Sequence, residues 1–137
     1  NYFLNSDHHL IRISKHNTIK GDAFKKLAEL QGKNNLYDMV IIDPPSFAKD
    51  QAQVPKAISA YQQLTRLGLS LLRKGGILVQ SSCSSRVTAS DFFTAVNNSA
   101  EEMGYMLKEI ERSNHPIDHP IRFKESAYLK CLFATVH

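Results

Sequence analysis

The sequence predicts an α/β sandwich on a mostly parallel sheet with an antiparallel last strand, and three observations carry that expectation. Apolar segments that read as strands alternate along the chain with segments whose apolar residues recur at helical spacing. The run MVIID at 39–43 is almost continuously apolar, which is how a strand covered on both faces of a parallel sheet reads. The final strand-like segment, AYLKCLFATV, follows the strand-like YMLKEIER through a proline-broken loop and not through a helix, so it is expected to run antiparallel. A chain of 137 residues suits one domain with a single core.

Taken in order, residues 1–16, NYFLNSDHHLIRISKH, alternate weakly over HLIRIS, while NYFLN matches the tail of a helix. NTIKGD is expected to form a short strand that ends on Gly21 and Asp22. AFKKLAELQG then has Phe24, Leu27 and Leu30 at helical spacing, with Gly32 as the stop. YDMVIID is the next strand, and Pro44 and Pro45, which lack N–H groups, cannot continue its ladder. From Pro55 to Arg73, Ile58, Tyr61, Leu64, Leu67, Leu71 and Leu72 fall at three- and four-residue steps. That is an amphipathic helix opened by a proline, and Gly75 and Gly76 are expected to end it. ILVQSSC is a further strand. TASDFFTAVNNSAEEM is the next helix, with Thr88 or Ser90 as N-cap, Ala89, Phe92, Phe93, Val96, Ala100 and Met103 turned inward, and Gly104 closing it.

Composition narrows the function classes. Hydrophobic residues make up 42% and charged residues 22%, and the apolar runs fall far short of the roughly 20 residues of a membrane span. A net charge of +4 leans mildly toward a phosphate-bearing partner such as nucleic acid, although the basic residues are scattered. Cys83 and Cys131 form no CxxC or Cys/His ligand spacing, which argues against zinc and against a disulfide scaffold and makes a reducing cytoplasm the default. His8 and His9 are adjacent, and Pro116 divides His115 from His119, so no helix aligns these as metal ligands. Ser82, Ser84 and Ser85 lack the GxSxG setting of a hydrolase nucleophile.

In an open α/β sheet, ligands bind beyond the carboxyl ends of the strands. Asp43 is expected there, with Pro44 and Pro45 stiffening the loop and leaving carbonyl oxygens as acceptors. Asp-Pro-Pro is therefore either a lip for an amine or a planar base, or a plain strand terminator. Residues 38–83 form one strand–helix–strand unit, whose right-handed crossover brings Asp43 and Cys83 to one edge of the sheet. Around Cys83 the sequence QSSCSSRVTAS is polar, and Arg86 and the N–H groups of the following helix favour a thiolate. A nucleophile and a small space-filling residue both stay open for Cys83. Cys131, within YLKCLFATV, alternates with core residues and reads as packing.

IIDPPSFAK, then SSCSSRV about forty residues later, then DHPI and E-x-x-YLK (Glu125, Tyr128 to Lys130) together resemble the carboxyl-terminal part of class I S-adenosylmethionine-dependent methyltransferases. The nearest resemblance is to the 23S ribosomal RNA cytosine-5 methyltransferase family, and it covers the chain from about residue 17 onward. It implies a partial Rossmann-like methyltransferase sandwich that uses S-adenosyl-L-methionine and acts on RNA. By that resemblance Cys83 is the nucleophile, and Asp43 holds the base edge. Asp22, Ala23 and Phe24, with Asp43 and Pro44, meet the cofactor, and Pro45, Phe47 and Arg86 meet the substrate base.

The resemblance has gaps. No GxG occurs, although the cofactor half of such a fold needs a glycine-rich turn after its first strand and an acid ending its second. The resemblance implies that the first two strands, and the RNA-binding domain that often precedes the catalytic domain, are missing. Two expectations follow. The apolar edge at 39–42 is covered by the amino-terminal segment, by pairing with residues 17–21, or by another chain, with self-association as one form. This chain alone binds S-adenosylmethionine weakly or not at all. Two other functions stay open: methylation of a nucleic-acid nitrogen, because Asp-Pro-Pro lips also serve amines, and a non-catalytic RNA-binding or assembly module that retains the fold.

Overall fold

The computed structural model describes residues 17–114 and 128–137. Helix α1 (Ala23–Gln31) leads into strand β1 (Tyr37–Ile42), followed by a short 3-10 turn (Gln51–Gln53) and helix α2 (Val54–Ser70). Strand β2 (Leu72–Ser82), helix α3 (Ala89–Glu102), strand β3 (Leu107–Ser113) and strand β4 (Lys130–Val136) complete the order. The sheet runs β1-β2-β4-β3. β1 and β2 are parallel, while β4 is antiparallel to both β2 and β3, so β1, β2 and β3 share one direction and only the last strand reverses. The mostly parallel α/β sandwich expected from the sequence is the fold observed.

The core lies between the sheet and the α2–α3 pair. Tyr61, Leu64 and Leu69 from α2 and Phe92, Val96 and Ala100 from α3 are buried against Ile42, Leu78, Leu132, Ala134 and Val136. Strand β4 shows the two-residue period plainly: Lys130, Leu132, Ala134 and Val136 are buried, while Cys131, Phe133 and Thr135 on the opposite face are half-buried. Caps fix the helix starts. Asp22 accepts from the Lys25 amide at the start of α1, and Thr88, one of the two expected caps, accepts from the Asp91 amide at the start of α3.

Several boundaries differ from expectation. Residues 17–20 form no strand and do not pair with β1; the segment instead carries Ile19 and Gly21 over the carboxyl end of β1, because Asp22 must turn the chain into α1. Helix α2 ends at Ser70, earlier than Arg73. Leu71 caps it and Leu72 opens β2, both buried, so these two leucines serve the core from outside the helix. Gly75 and Gly76 lie inside β2, where the register slips between Tyr37↔Leu72 and Met39↔Ile77. Gly75 has φ +79°, and a Cβ on Gly76 would sit 3.1 Å from the Asp38 carbonyl, so the pair shapes a bulge and does not end a helix. Ala89 is exposed at the first position of α3. The edge of β1 has no strand partner other than β2 among the described residues, and Tyr37, Met39 and Ile41 on it are 37%, 47% and 67% exposed. The segments HLIRIS and NYFLN, the DHPI motif, Glu125, and histidines 8, 9, 115 and 119 lie outside the described residues.

Candidate active site

Parallel pairing with Ile42 opposite Gln80 puts the loops after β1 and β2 at one rim of the sheet. Asp43 is the first residue past β1, and Cys83 the first past β2. The Cys83 thiol is half-buried and points to the Pro44 carbonyl at 3.7 Å. Asp43 accepts a very short hydrogen bond from the Ser81 hydroxyl. The two candidate catalytic residues thus share one rim, with the Cys83 thiol against the carbonyl of the residue that follows Asp43.

A directed chain of hydroxyls locks these loops together. Ser82 donates to the Tyr61 phenol at 2.8 Å, which leaves the phenol's own proton for Ser84 at 2.9 Å. Ser84 also accepts from the Phe47 amide at 3.0 Å, so its proton goes to Ser46 at 3.1 Å, and Ser46 donates to the Ala48 carbonyl at 3.3 Å. Every member is therefore satisfied in one direction. Burial pushes the Tyr61 phenol up, its hydrogen bonds with Ser82 and Ser84 oppose that shift, and the charge of Cys83 adds to it. Beneath the network, the buried Gln80 is held by Thr65 at 2.9 Å and by the Tyr61 carbonyl at 3.2 Å.

From the other side, Lys130 of β4 reaches the same turn. Its ammonium donates to the Ser84 carbonyl at 2.7 Å and the Tyr128 carbonyl at 3.1 Å, and the residue is only 3% exposed. Burial lowers Lys130 to about 8, while the charge on Cys83 works against that lowering. On the far face of β4, burial first, and then Asp43, push the Cys131 thiol up, with the Ser113 hydroxyl opposing and Glu111 adding to the rise. Cys131 is not enclosed in the main core but half-buried on the sheet's second face.

A cavity of about 630 Å³ opens beside the lip and is bordered by Asp22, Ala23, Phe24, Asp43, Pro44, Pro45 and Phe47. The expected cofactor residues thus share one hollow, floored by Ile41, Ile42 and Leu64. One oxygen of Asp22 is occupied in capping α1, at 3.1 Å from the Lys25 amide. Phe47 is turned into an aromatic stack between Phe24 and Tyr61, with ring centroids 6.3 and 5.1 Å away, so it packs the cavity wall. Arg86 is exposed and is not part of the cavity lining; it makes no ion pair among the described residues. Sequence reasoning missed Tyr61 and Lys130 as site residues. Tyr61 reads as one apolar position of a helix face, and Lys130, though it lies in the YLK motif and in phase with the buried residues of a terminal strand, is given no role of its own.

No protein-family profile matches the chain. A ribosomal RNA large subunit methyltransferase of Deinococcus radiodurans is 41% identical over 118 residues, covering 86% of this chain and 29% of that protein. Ribosomal RNA large subunit methyltransferase I of Pseudoalteromonas translucida is 33% identical over 135 residues, covering 97% and 34%. The chain therefore spans about a third of the length of the curated relatives it matches. Among solved structures, a candidate methyltransferase complexed with SAH superposes with a TM-score of 0.78 at 23% identity, over 97% of this chain and 35% of that one. A candidate SAM-dependent methyltransferase from Streptococcus mutans gives 0.76 at 21% identity, over 97% and 34%. The chain thus has the α/β fold of S-adenosylmethionine-dependent methyltransferases and is similar in sequence to ribosomal RNA large subunit methyltransferases along about a third of their length.

Proposed function

We propose that this chain carries the substrate-side chemistry of an S-adenosylmethionine-dependent RNA methyltransferase that modifies C5 of a cytosine in ribosomal RNA through a cysteine adduct. The observation that carries this reading is the half-buried Cys83 thiol, 3.7 Å from the Pro44 carbonyl and at one rim with Asp43. S-adenosylmethionine, when bound, supplies an electrophilic methyl group. The cavity bordered by Asp22, Ala23, Phe24 and Pro44 suits the donor's adenine end: it has an apolar floor, a carboxylate oxygen on Asp22 besides the one that caps α1, and an aromatic wall. The sequence holds no glycine-rich turn to receive the rest of the cofactor, so binding by these 137 residues alone is weak.

C5 of cytosine is a poor nucleophile. Addition of the Cys83 sulfur to C6 forms a carbon–sulfur bond and makes C5 an enamine carbon that can take the methyl group. Asp43, held by Ser81 and backed by two prolines, stabilises the proton on the base edge during the adduct. Loss of the C5 proton to solvent then expels the sulfur with its bonding pair, the base edge gives up its added proton, and the ring is restored. The base must leave any stack to reach this rim.

The test is methyl transfer to large-subunit ribosomal RNA by a polypeptide containing this chain, with wild type and Cys83→Ala compared. RNA carrying 5-fluorocytosine, which has no C5 proton to lose, is expected to trap a denaturant-stable adduct on Cys83 only. Transfer that persists undiminished in Cys83→Ala would overturn the carbon chemistry in favour of a nitrogen target. RNA binding with no transfer would point to an assembly module. Calorimetry on the 137-residue chain is expected to show no micromolar affinity for S-adenosylmethionine.

A further inference from the structure

A buried lysine needs a reason. Lys130 lies on the core face of β4 in line with Leu132, Ala134 and Val136, and a lysine there is seldom tolerated unless its charge is matched. Among the described residues no carboxylate lies within ion-pair distance of its ammonium. Its partners among the described residues are two carbonyls, those of Ser84 and Tyr128. Carbonyls orient an ammonium but do not neutralise it.

The placement answers the question. Lys130 is the cross-strand partner of Ser82, so its side chain emerges directly beneath the turn that begins at Cys83. The Ser84 carbonyl, the second peptide oxygen past that of Ser82, receives both the Lys130 ammonium at 2.7 Å and the Val87 amide at 3.3 Å. The turn is therefore pinned from below by a charge-assisted bond and closed from within by the chain's own amide. The groups with charge that face this turn are few. Tyr61 comes from α2, Asp43 from the loop after β1, and Arg86 from the turn itself; Cys131 and Glu111 lie on the far face of β4 and β3. Arg86 is exposed, so among the described residues Lys130 is the buried cation bonded to this turn.

We propose that Lys130 is the positioning residue for Cys83: its buried ammonium fixes the Ser84 carbonyl, holds the turn that presents the sulfur to the Asp43–Pro44 lip, and supplies the positive charge against which a thiolate forms. The proposal rests on the reading of Cys83 as a nucleophile, but its test needs neither cofactor nor RNA.

Alkylation of the 137-residue chain by iodoacetamide, read by mass spectrometry at Cys83 and Cys131 separately, makes Cys131 an internal control. Near pH 7, Lys130→Met is expected to slow alkylation of Cys83 by about fivefold or more, Lys130→Arg to restore it to within about twofold, and Cys131 to change by less than about twofold in both. The pH profile separates charge from shape. Because Lys130 loses its proton near 8 while Arg keeps its charge, the advantage of wild type over Lys130→Met falls away at lower pH than that of Lys130→Arg, and all three Cys83 rates converge once the thiol is ionised in each. Equal Cys83 rates near pH 7 in wild type and Lys130→Met, an Arg variant that behaves like Met, or Cys131 accelerating together with Cys83 would each overturn the proposal. If Lys130→Met fails to fold, wild type and Lys130→Arg suffice, since a Cys83 rate for Lys130→Arg well below half that of wild type near pH 7 also overturns it. Absence of methyl transfer in the RNA assay would leave this alkylation result standing, and unchanged alkylation would leave the transfer assay intact.

Discussion

At the scale of single residues, the rim is ordered by buried groups behind Asp43 and Cys83. Ser84 is the junction, since its hydroxyl meets Ser46, the Phe47 amide and Tyr61, and its carbonyl meets Lys130. Tyr61 is completely buried, so deleting its phenolic oxygen strands the Ser82 and Ser84 hydroxyls away from water. Tyr61→Phe is therefore expected to cost about 1–3 kcal/mol, because an unmet buried donor or acceptor loses its desolvation energy outright. Urea denaturation measures the cost. Faster hydrogen exchange at the Phe47 amide would locate the loosening at the joint between the two loops. A variant as stable as wild type, with unchanged exchange, would mean that the hydroxyl chain contributes nothing to the rim. Ser84→Ala should exceed Tyr61→Phe, since it removes a hydroxyl shared with two side chains, Ser46 and Tyr61, and leaves the Phe47 amide unmet.

Among the elements, α2 decides how closely the loops can approach, because it seats directly on β1 and β2. Gly68 makes that seat: a Cβ there would stand 2.7 Å from the Ile42 terminal methyl, 3.5 Å from Leu78 and 3.6 Å from Val40. Gly68→Ala is expected to stay within about 1 kcal/mol of wild type, since helix propensity gains offset a small turn of the Ile42 methyl. Gly68→Val adds branched carbons against buried Ile42 and is expected to cost about 1–3 kcal/mol by denaturant titration, with its effect passing to Asp43, one residue beyond Ile42. The helices and inner strands were legible because long apolar periodicities, Thr88 and Gly104 specify them locally. The shared rim for Asp43 and Cys83 was legible from topology alone, through the handedness of one crossover. The failures have a common physical cause, in that they depend on what lies across space. NTIKG has strand-like residues but no adjacent ladder, Gly75 and Gly76 answer to the Asp38 carbonyl and not to the preceding helix, and the partners of Tyr61 and Lys130 come from distant segments.

For the whole molecule, the buried lysine leaves a mark on stability that a titration can read. Burial lowers Lys130 from 10.5 to about 8, so between these values the unfolded chain binds a proton that the folded chain has released. Stability from this group therefore rises with pH across that window, and the burden of the buried ammonium is fully present below about 8. The full displacement corresponds to about 3 kcal/mol. Two other groups act with the opposite sign. Cys131, raised above 9.0, and Tyr61, raised above 10.0, keep their protons when folded after the unfolded chain has lost them, so each erodes stability as pH climbs past its ordinary value. Wild type alone would show a shallow, partly cancelled profile. The difference between wild type and Lys130→Met isolates the lysine, because Cys131 and Tyr61 are common to both. That difference is expected to move in favour of wild type by about 2–3 kcal/mol between pH 7.5 and 10.5, measured by urea denaturation at closely spaced pH values. A flat difference would mean that the Lys130 amine titrates alike in the folded and unfolded chains, and hence that water reaches it behind the Cys83 turn.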